Sequence, residues 1–182
     1  MSYAHVIKEI GRGAEGSRDM LRDEAQQLYG AMLDGGVPDL ELGAILVALR
    51  MKGESSEEMI GFLAAANERV HALRSQGGTV RPVVIPSYNG ARKGANLTPL
   101  LALLLQRFGV PVLVHGLLEG YGRVTSGQVF REMGIMPSGT HGQAQQALAE
   151  RGLAFVPLQA IAPGMSSLLS LRARMGLRNS AH

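Results

Sequence analysis

The hydrophobic rhythm of this sequence changes near residue 80, and no fold of a single class accommodates both halves of it. Up to residue 70 the apolar side chains recur at three- and four-residue spacing: Ala25, Leu28, Tyr29, Met32 and Leu33, then Leu42, Ile45, Leu46 and Leu49. That interval lines one face of a 3.6-residue helix, so two amphipathic helices are expected. Gly35 and Gly36 supply a stop between them, Pro38 and Asp39 the next start, and Gly53 ends the second. Ser55, followed three residues later by Glu58, is a capping-box pattern. It opens a third helix with its stripe at Met59, Phe62, Leu63, Ala66 and Val70, and a shorter helix around Val6, Ile7 and Ile10 precedes them all.

Residues 75–79, with two glycines and no large apolar side chain, read as a linker. Beyond it, Val83, Val84 and Ile85 form a short β-branched run, and residues 97–108 read as a buried helix closed by Gly109. A second strand at 110–115 follows. Strand, helix and strand at this spacing make a right-handed crossover, which requires a parallel sheet covered by helices. Helices are expected around Val129 to Met133 and Ala144 to Leu148, a third strand at 154–157, and a further helix at 168–175. The fold class is therefore α followed by α/β: a helical bundle domain over 1–75 and the first part of a parallel-sheet domain over 80–182. Three parallel strands leave a poorly covered edge, so the chain reads as a piece of a longer protein; a complete domain needs roughly another hundred residues.

Charge divides the chain at the same place. Residues 1–68 hold twelve acidic and six basic residues, whereas residues 69–182 hold three acidic and twelve basic ones. From Arg69 to Leu118 there is no carboxylate, yet Arg69, Arg74, Arg81, Arg92, Lys93 and Arg107 lie there. Arginine outnumbers lysine fifteen to three, and a planar guanidinium fits phosphate well, so this stretch suits a polyanion. The absence of cysteine excludes disulfides, thiol nucleophiles and thiolate metal sites. The longest apolar run, 97–105, is half of what a membrane span needs, and the first thirty residues are too polar for a signal peptide. A cytoplasmic protein with no membrane partner is expected.

Ligands of a parallel sheet collect beyond the carboxyl ends of its strands. The loop there reads Pro86-Ser87-Tyr88-Asn89-Gly90-Ala91-Arg92-Lys93-Gly94-Ala95-Asn96. The stretch EAQQLYGAMLDGGVPDLELGAILVALRMKGES, followed by EEMIGFLAAANERV, resembles the helical domain of anthranilate phosphoribosyltransferases and related nucleoside phosphorylases, which form glycosyltransferase family 3. The resemblance continues more weakly to the end of the chain. It implies a sheet domain whose first loop, GTGGDG in those enzymes, binds the pyrophosphate of phosphoribosyl pyrophosphate through backbone N–H groups. In register, this sequence has PSYNGA. Most of the glycines are replaced, by a proline and a tyrosine among others, and the phosphate grip should be lost.

Other positions carry over residue by residue. Asn96 and Thr98 match the asparagine and a hydroxyl of the family's NIST motif, and Asn96 is equally a helix cap. The family's KHGNRSVSSKSGS appears as VHGLLEGYGRVTS. His115 and Gly116 stand, Arg123 keeps the charge of a lysine, and Leu118 and Glu119 replace polar contacts. Arg172 matches an arginine that contacts anthranilate in the enzymes. The residual donor and substrate positions are thus Ser87, Asn89, Gly90, Asn96, Thr98, His115, Gly116 and Arg172. The family's magnesium-binding acidic pair would lie beyond His182, and the five histidines lack ligand-like spacing, so no metal site is expected in this chain.

The altered motifs, with SYNGARK in the loop and LRARMGLRNSAH at the end, resemble the YbiB-type group of DNA-binding paralogues of these enzymes. That resemblance implies nucleic-acid binding with little sequence preference in a homodimer assembled through the helical domains, without transferase activity. The residues expected to hold nucleic acid are Arg92 and Lys93 in the loop, Arg81 and Arg123 extending the track, and Tyr88 stacking on a base. Two alternatives stand beside it. One is an active phosphoribosyl- or other glycosyltransferase with a divergent donor site, requiring Mg2+ where the first reading needs no cofactor. The other is a dimerising scaffold, which exposed apolar residues on the first helices would favour.

Overall fold

The structure, a computed structural model, describes residues 3–13, 15–73 and 80–181. The expected linker at 75–79, Arg74 and His182 lie outside the described residues. The chain divides into two units, residues 1–70 with 162–182 and residues 71–161.

The first unit is all helical. It contains α1 (Ala4–Ile10), α2 (Arg22–Leu33), α3 (Asp39–Lys52) and α4 (Ser56–Asn67), joined late in the chain by α9 (Pro163–Ser170) and α10 (Arg172–Met175). The expected stripes of α1, α2 and α3 meet in one core with Phe62 and Ala66 of α4, where Tyr29 stacks on Phe62 with ring centroids 4.5 Å apart. Met59, Leu63 and Val70, read as part of the α4 stripe, are exposed instead. Ser55 caps α4 as read: its side chain accepts from Glu58 N–H, and Glu58 reaches back to the Ser55 N–H at 2.8 Å.

Glu58 does more than cap. It is fully buried, accepts from the Met20 N–H at 3.0 Å and pairs with Lys52 at 2.7 Å. The Lys52 ammonium is also satisfied by Asp19 and the Gly53 carbonyl, so each of its three donors has a partner. Desolvation alone would favour neutral lysine, but the hydrogen bonds it donates to Asp19 and Glu58 outweigh that and hold the ammonium above its ordinary range.

The unit boundary differs from the one read in the sequence, which gives the whole of 80–182 to the sheet domain. Residues 162–182 belong to the helical unit because Leu168 is part of its core and the Tyr29 hydroxyl lies 3.4 Å from both Met165 Sδ and the Ser180 carbonyl. The single helix expected at 168–175 is divided at Leu171.

The second unit holds β1 (Val83–Ser87), α5 (Thr98–Arg107), β2 (Val112–Gly116), α6 (Ser126–Glu132), α7 (His141–Arg151), β3 (Leu153–Pro157) and α8 (Leu158–Ile161). All three strands are parallel in the order β1-β2-β3, with Val83 opposite Val112 and Val112 opposite Leu153. Ala102 of α5 and Phe130 of α6 pack with Val112, Val114, Leu153 and Phe155 in its core. Strands β2 and β3 are almost wholly buried, as a parallel sheet requires. Strand β1 is not: Val83 and Val84 are exposed, and the helix read as buried over 97–108 presents Leu97, just ahead of α5, with Leu100, Leu101 and Leu104 as an uncovered stripe. No helix among the described residues is long and apolar enough to cross a membrane.

Candidate functional site

The carboxyl ends of β1 and β2 lead into two loops, residues 88–97 and 117–125. An isolated antiparallel bridge stitches them together: the Ala91 N–H donates to the Val124 carbonyl at 2.9 Å and the Val124 N–H returns to Ala91 at 2.8 Å. Two glycines make the approach possible. Gly90 has φ +61°, and a Cβ there would lie 2.8 Å from the Val124 carbonyl oxygen. At Gly116 a Cβ would fall 1.9 Å from the Ser87 carbonyl oxygen, so the end of β2 tolerates no side chain.

A hydrogen-bonded cluster lies under the bridge. Ser87 Oγ is 2.7 Å from Ser126 Oγ, and the Asn96 amide donates to Ser126 Oγ at 3.2 Å and to the Val124 carbonyl at 3.1 Å. Asn96 Oδ1 accepts from the Thr98 N–H at 3.2 Å. Asn96 is therefore a cap in its chemistry, although Leu97 occupies the formal cap position. Ser126 is fully buried, as is Thr125, which caps α6 by accepting from Gln128 N–H and donates its hydroxyl to the Leu118 carbonyl at 3.0 Å. Sequence reasoning missed Ser126. Thr125 and Gln128 repeat the capping-box pattern of Ser55 and Glu58, and that signal locates it.

His115 has a partner that the sequence did not suggest. Its Nδ1 shares a 2.6 Å hydrogen bond with the Tyr88 hydroxyl, and the two rings meet edge to face. Burial pushes the Tyr88 phenol up to about 12 and lowers His115, so both are neutral at pH 7. Tyr88, the expected stacking platform, is half-buried and anchored through its hydroxyl.

The first loop and the start of α5 line an open cleft of about 680 Å³, bounded by residues 86–91, 95–98 and Leu101. Ser87, Tyr88, Asn89, Gly90, Asn96 and Thr98 all border it, and no carboxylate does. Arg92 and Lys93 are exposed at its outer loop, Arg123 is half-buried beside the bridge, and none of the three enters an ion pair among the described residues.

Three other sequence candidates are carried outside the two loops. Arg81 precedes β1, at the opposite end of the strand from Arg92 and Lys93, so a track through all three along one loop is not what the topology builds. Arg172 is carried by α10 of the helical unit. Arg69, counted in the acid-free stretch, is committed to Asp34 through two 2.7 Å hydrogen bonds and to Glu68 at 3.2 Å. Its guanidinium in turn holds the Asp34 carboxyl below the usual carboxylate range.

Residues 4–70 match the glycosyl transferase family, helical bundle domain. Over all 182 residues the chain is 52% identical to the Escherichia coli (strain K12) protein YbiB, covering 57% of it. It is 32% identical over 176 residues to the anthranilate phosphoribosyltransferase of Methanosphaerula palustris, covering 95% of this chain and 51% of that enzyme. Among solved structures, the anthranilate phosphoribosyltransferase of Thermus thermophilus aligns with a TM-score of 0.77 at 25% identity over 96% of this chain and 52% of its own. The Saccharomyces cerevisiae enzyme, solved with PRPP and Mg, shares the fold at a TM-score of 0.71 and 12% identity, over 98% of this chain and 53% of that one. The chain thus spans about half the length of the relatives it matches. Residues 4–70 thus carry the helical bundle domain of the glycosyl transferase family, and with a parallel sheet after it the chain is similar along its whole length to anthranilate phosphoribosyltransferases and to YbiB.

Proposed function

We propose that this chain is part of a nucleic-acid-binding protein built on a phosphoribosyltransferase fold, with little sequence preference. One observation carries the reading: the polar groups under the first loop are spent on one another, while the cations on that loop are exposed and enter no ion pair among the described residues. Ser87, Asn96 and Ser126 form a closed set of hydrogen bonds, and the Ala91 N–H is taken by Val124. Arg92 and Lys93 are available to phosphates arriving from outside. A cation that neutralises a backbone phosphate releases condensed counterions and reads no base, which gives affinity without specificity.

The helical unit supports assembly as a homodimer. Leu40, Val47 and Met51 recur on one face of α3, and Met59, Ile60 and Leu63 on α4, all exposed. An apolar surface of this kind is rarely left to water. The cytoplasm, expected from the cysteine-free composition, gives such a protein access to its ligand.

A mobility-shift titration with single- and double-stranded DNA tests the reading. Affinity should fall steeply between about 50 and 200 mM salt, and a flat response would remove its basis. A second reading, a glycosyltransferase acting on a phosphoribosyl donor, is favoured by the roomy cleft with the Ser87 and Thr98 hydroxyls at its wall. It expects Mg2+, whose acidic pair the family resemblance assigns to positions beyond His182, so the cleft border, which carries no carboxylate, does not bear on it. Turnover of anthranilate with phosphoribosyl pyrophosphate and magnesium would establish it; none is expected.

A further inference from the structure

We infer that the amino-terminal edge of the sheet is a second phosphate-binding surface, formed by Arg81, Arg107 and Arg151 with Phe108 beside them, and that it takes single-stranded nucleic acid. This rests on the nucleic-acid reading and concerns the end of the sheet opposite the cleft.

The topology assembles these residues from three segments. In the strand register Val83 stands opposite Val112 and Val112 opposite Leu153. Arg81 lies two residues ahead of β1 and Arg151 closes α7 two residues ahead of β3, so both stand in a row at the amino end of the sheet, on strands roughly 10 Å apart. Backbone bonds hold that row just ahead of the strands, from Val83 N–H to the Pro111 carbonyl and from Val112 N–H to the Gly152 carbonyl, both at 2.8 Å. The Gln106 side chain donates to the Arg151 carbonyl at 2.9 Å, which brings the last turn of α5, and with it Arg107 and Phe108, to the same place.

All three arginines are exposed and enter no ion pair among the described residues. The adjacent Glu150 accepts from Gln146 one turn back at 2.8 Å. An arginine in the last turn of a helix complements the helix dipole, which accounts singly for Arg107 and Arg151. It accounts neither for Arg81, which belongs to no helix, nor for Phe108, which is 82% exposed. A nucleic-acid strand carries one charge per about 3.4 Å of axis, so a row of roughly 10 Å meets about three phosphates. Phe108 offers a flat apolar face to a base, and only a single strand has bases free to stack on it.

Fluorescence anisotropy of the full chain with a labelled oligo(dT) across a salt series tests this. It compares the wild type with R81A/R107A/R151A, with R92A/K93A/R123A and with Phe108→Ala, each verified as folded by its circular dichroism melt. The amino-edge triple variant should lower the salt slope by about 2, as three lost phosphate contacts on a single strand predict. Phe108→Ala should weaken oligo(dT) about tenfold with the slope unchanged, and leave duplex affinity as it was. If the wild type binds and R92A/K93A/R123A weakens it while the amino-edge triple and Phe108→Ala bind like wild type, the second surface is refuted and the loop reading survives. If the wild type fails to bind either strand form, the nucleic-acid reading itself falls.

Discussion

The two units handle their charges in opposite ways. Every ion pair among the described residues lies in the helical unit, from Arg12 with Glu9 to Arg174 with Asp39. In the sheet unit Arg81, Arg92, Lys93, Arg107, Arg123, Arg131 and Arg151 enter none with any described residue. Cations paired with their own chain hold structure together, and Lys52 with Glu58 does so from a buried position. Cations without such partners add little to folding and remain open to an external anion. The contrast therefore separates charge used for stability from charge left for binding.

Lys52→Met puts the most strain on that distinction. It strands the buried Glu58 carboxylate, and a loss of about 3 to 5 kcal/mol in urea unfolding is expected. A loss below about 1 kcal/mol would mean the pair is not the structural device its burial suggests. In the sheet unit the comparable test is Ser126→Ala, which removes the shared partner of Ser87 and Asn96. Unfolding should cost about 1 to 3 kcal/mol, with faster amide exchange at Ala91 and Val124.

A smaller effect belongs to His115. Burial lowers its affinity for protons, so the unfolded chain, with a histidine pKa near 6.5, binds more protons than the folded one in the acid range. The stabilisation is complete above about pH 6.5 and is lost as pH falls through the depressed folded value. His115→Gln should flatten that part of the stability profile in thermal melts; an unchanged profile would locate the acid sensitivity elsewhere. Least of all should R92A/K93A matter for stability: a change within about 0.5 kcal/mol is expected, while DNA affinity and its salt slope both fall. A destabilisation as large as that of Ser126→Ala would erase the difference between the units.

Much of the fold was legible because it is written locally. Apolar spacing gave α2, α3 and α4, the Ser55 and Glu58 pair marked the start of α4, and β-branched runs marked β1 and β2. What escaped depends on residues distant in sequence. The return of Leu168 to the Tyr29 core joins positions more than a hundred residues apart, and Arg69 finds Asp34 thirty-five residues back. Nothing near either partner announces the contact. The candidate loop was legible as a place, since strand ends in a parallel sheet gather ligands, and Arg92 and Lys93 are exposed on it. The pairing of Tyr88 with His115 was not, because it needs β1 and β2 in register before the two rings can meet. Arg81 looked like a neighbour of the loop because five strand residues seem short in sequence; extended backbone carries them roughly 16 Å.

The bridge between Ala91 and Val124 also limits how this scaffold can be redesigned. A glycine-rich turn transplanted into residues 86–91 alone would lose its fit to Val124, whose carbonyl already sits 2.8 Å from where a Cβ on Gly90 would stand. The two loops form one exchangeable cassette, and a graft meant to install a new ligand has to carry residues 117–125 with it.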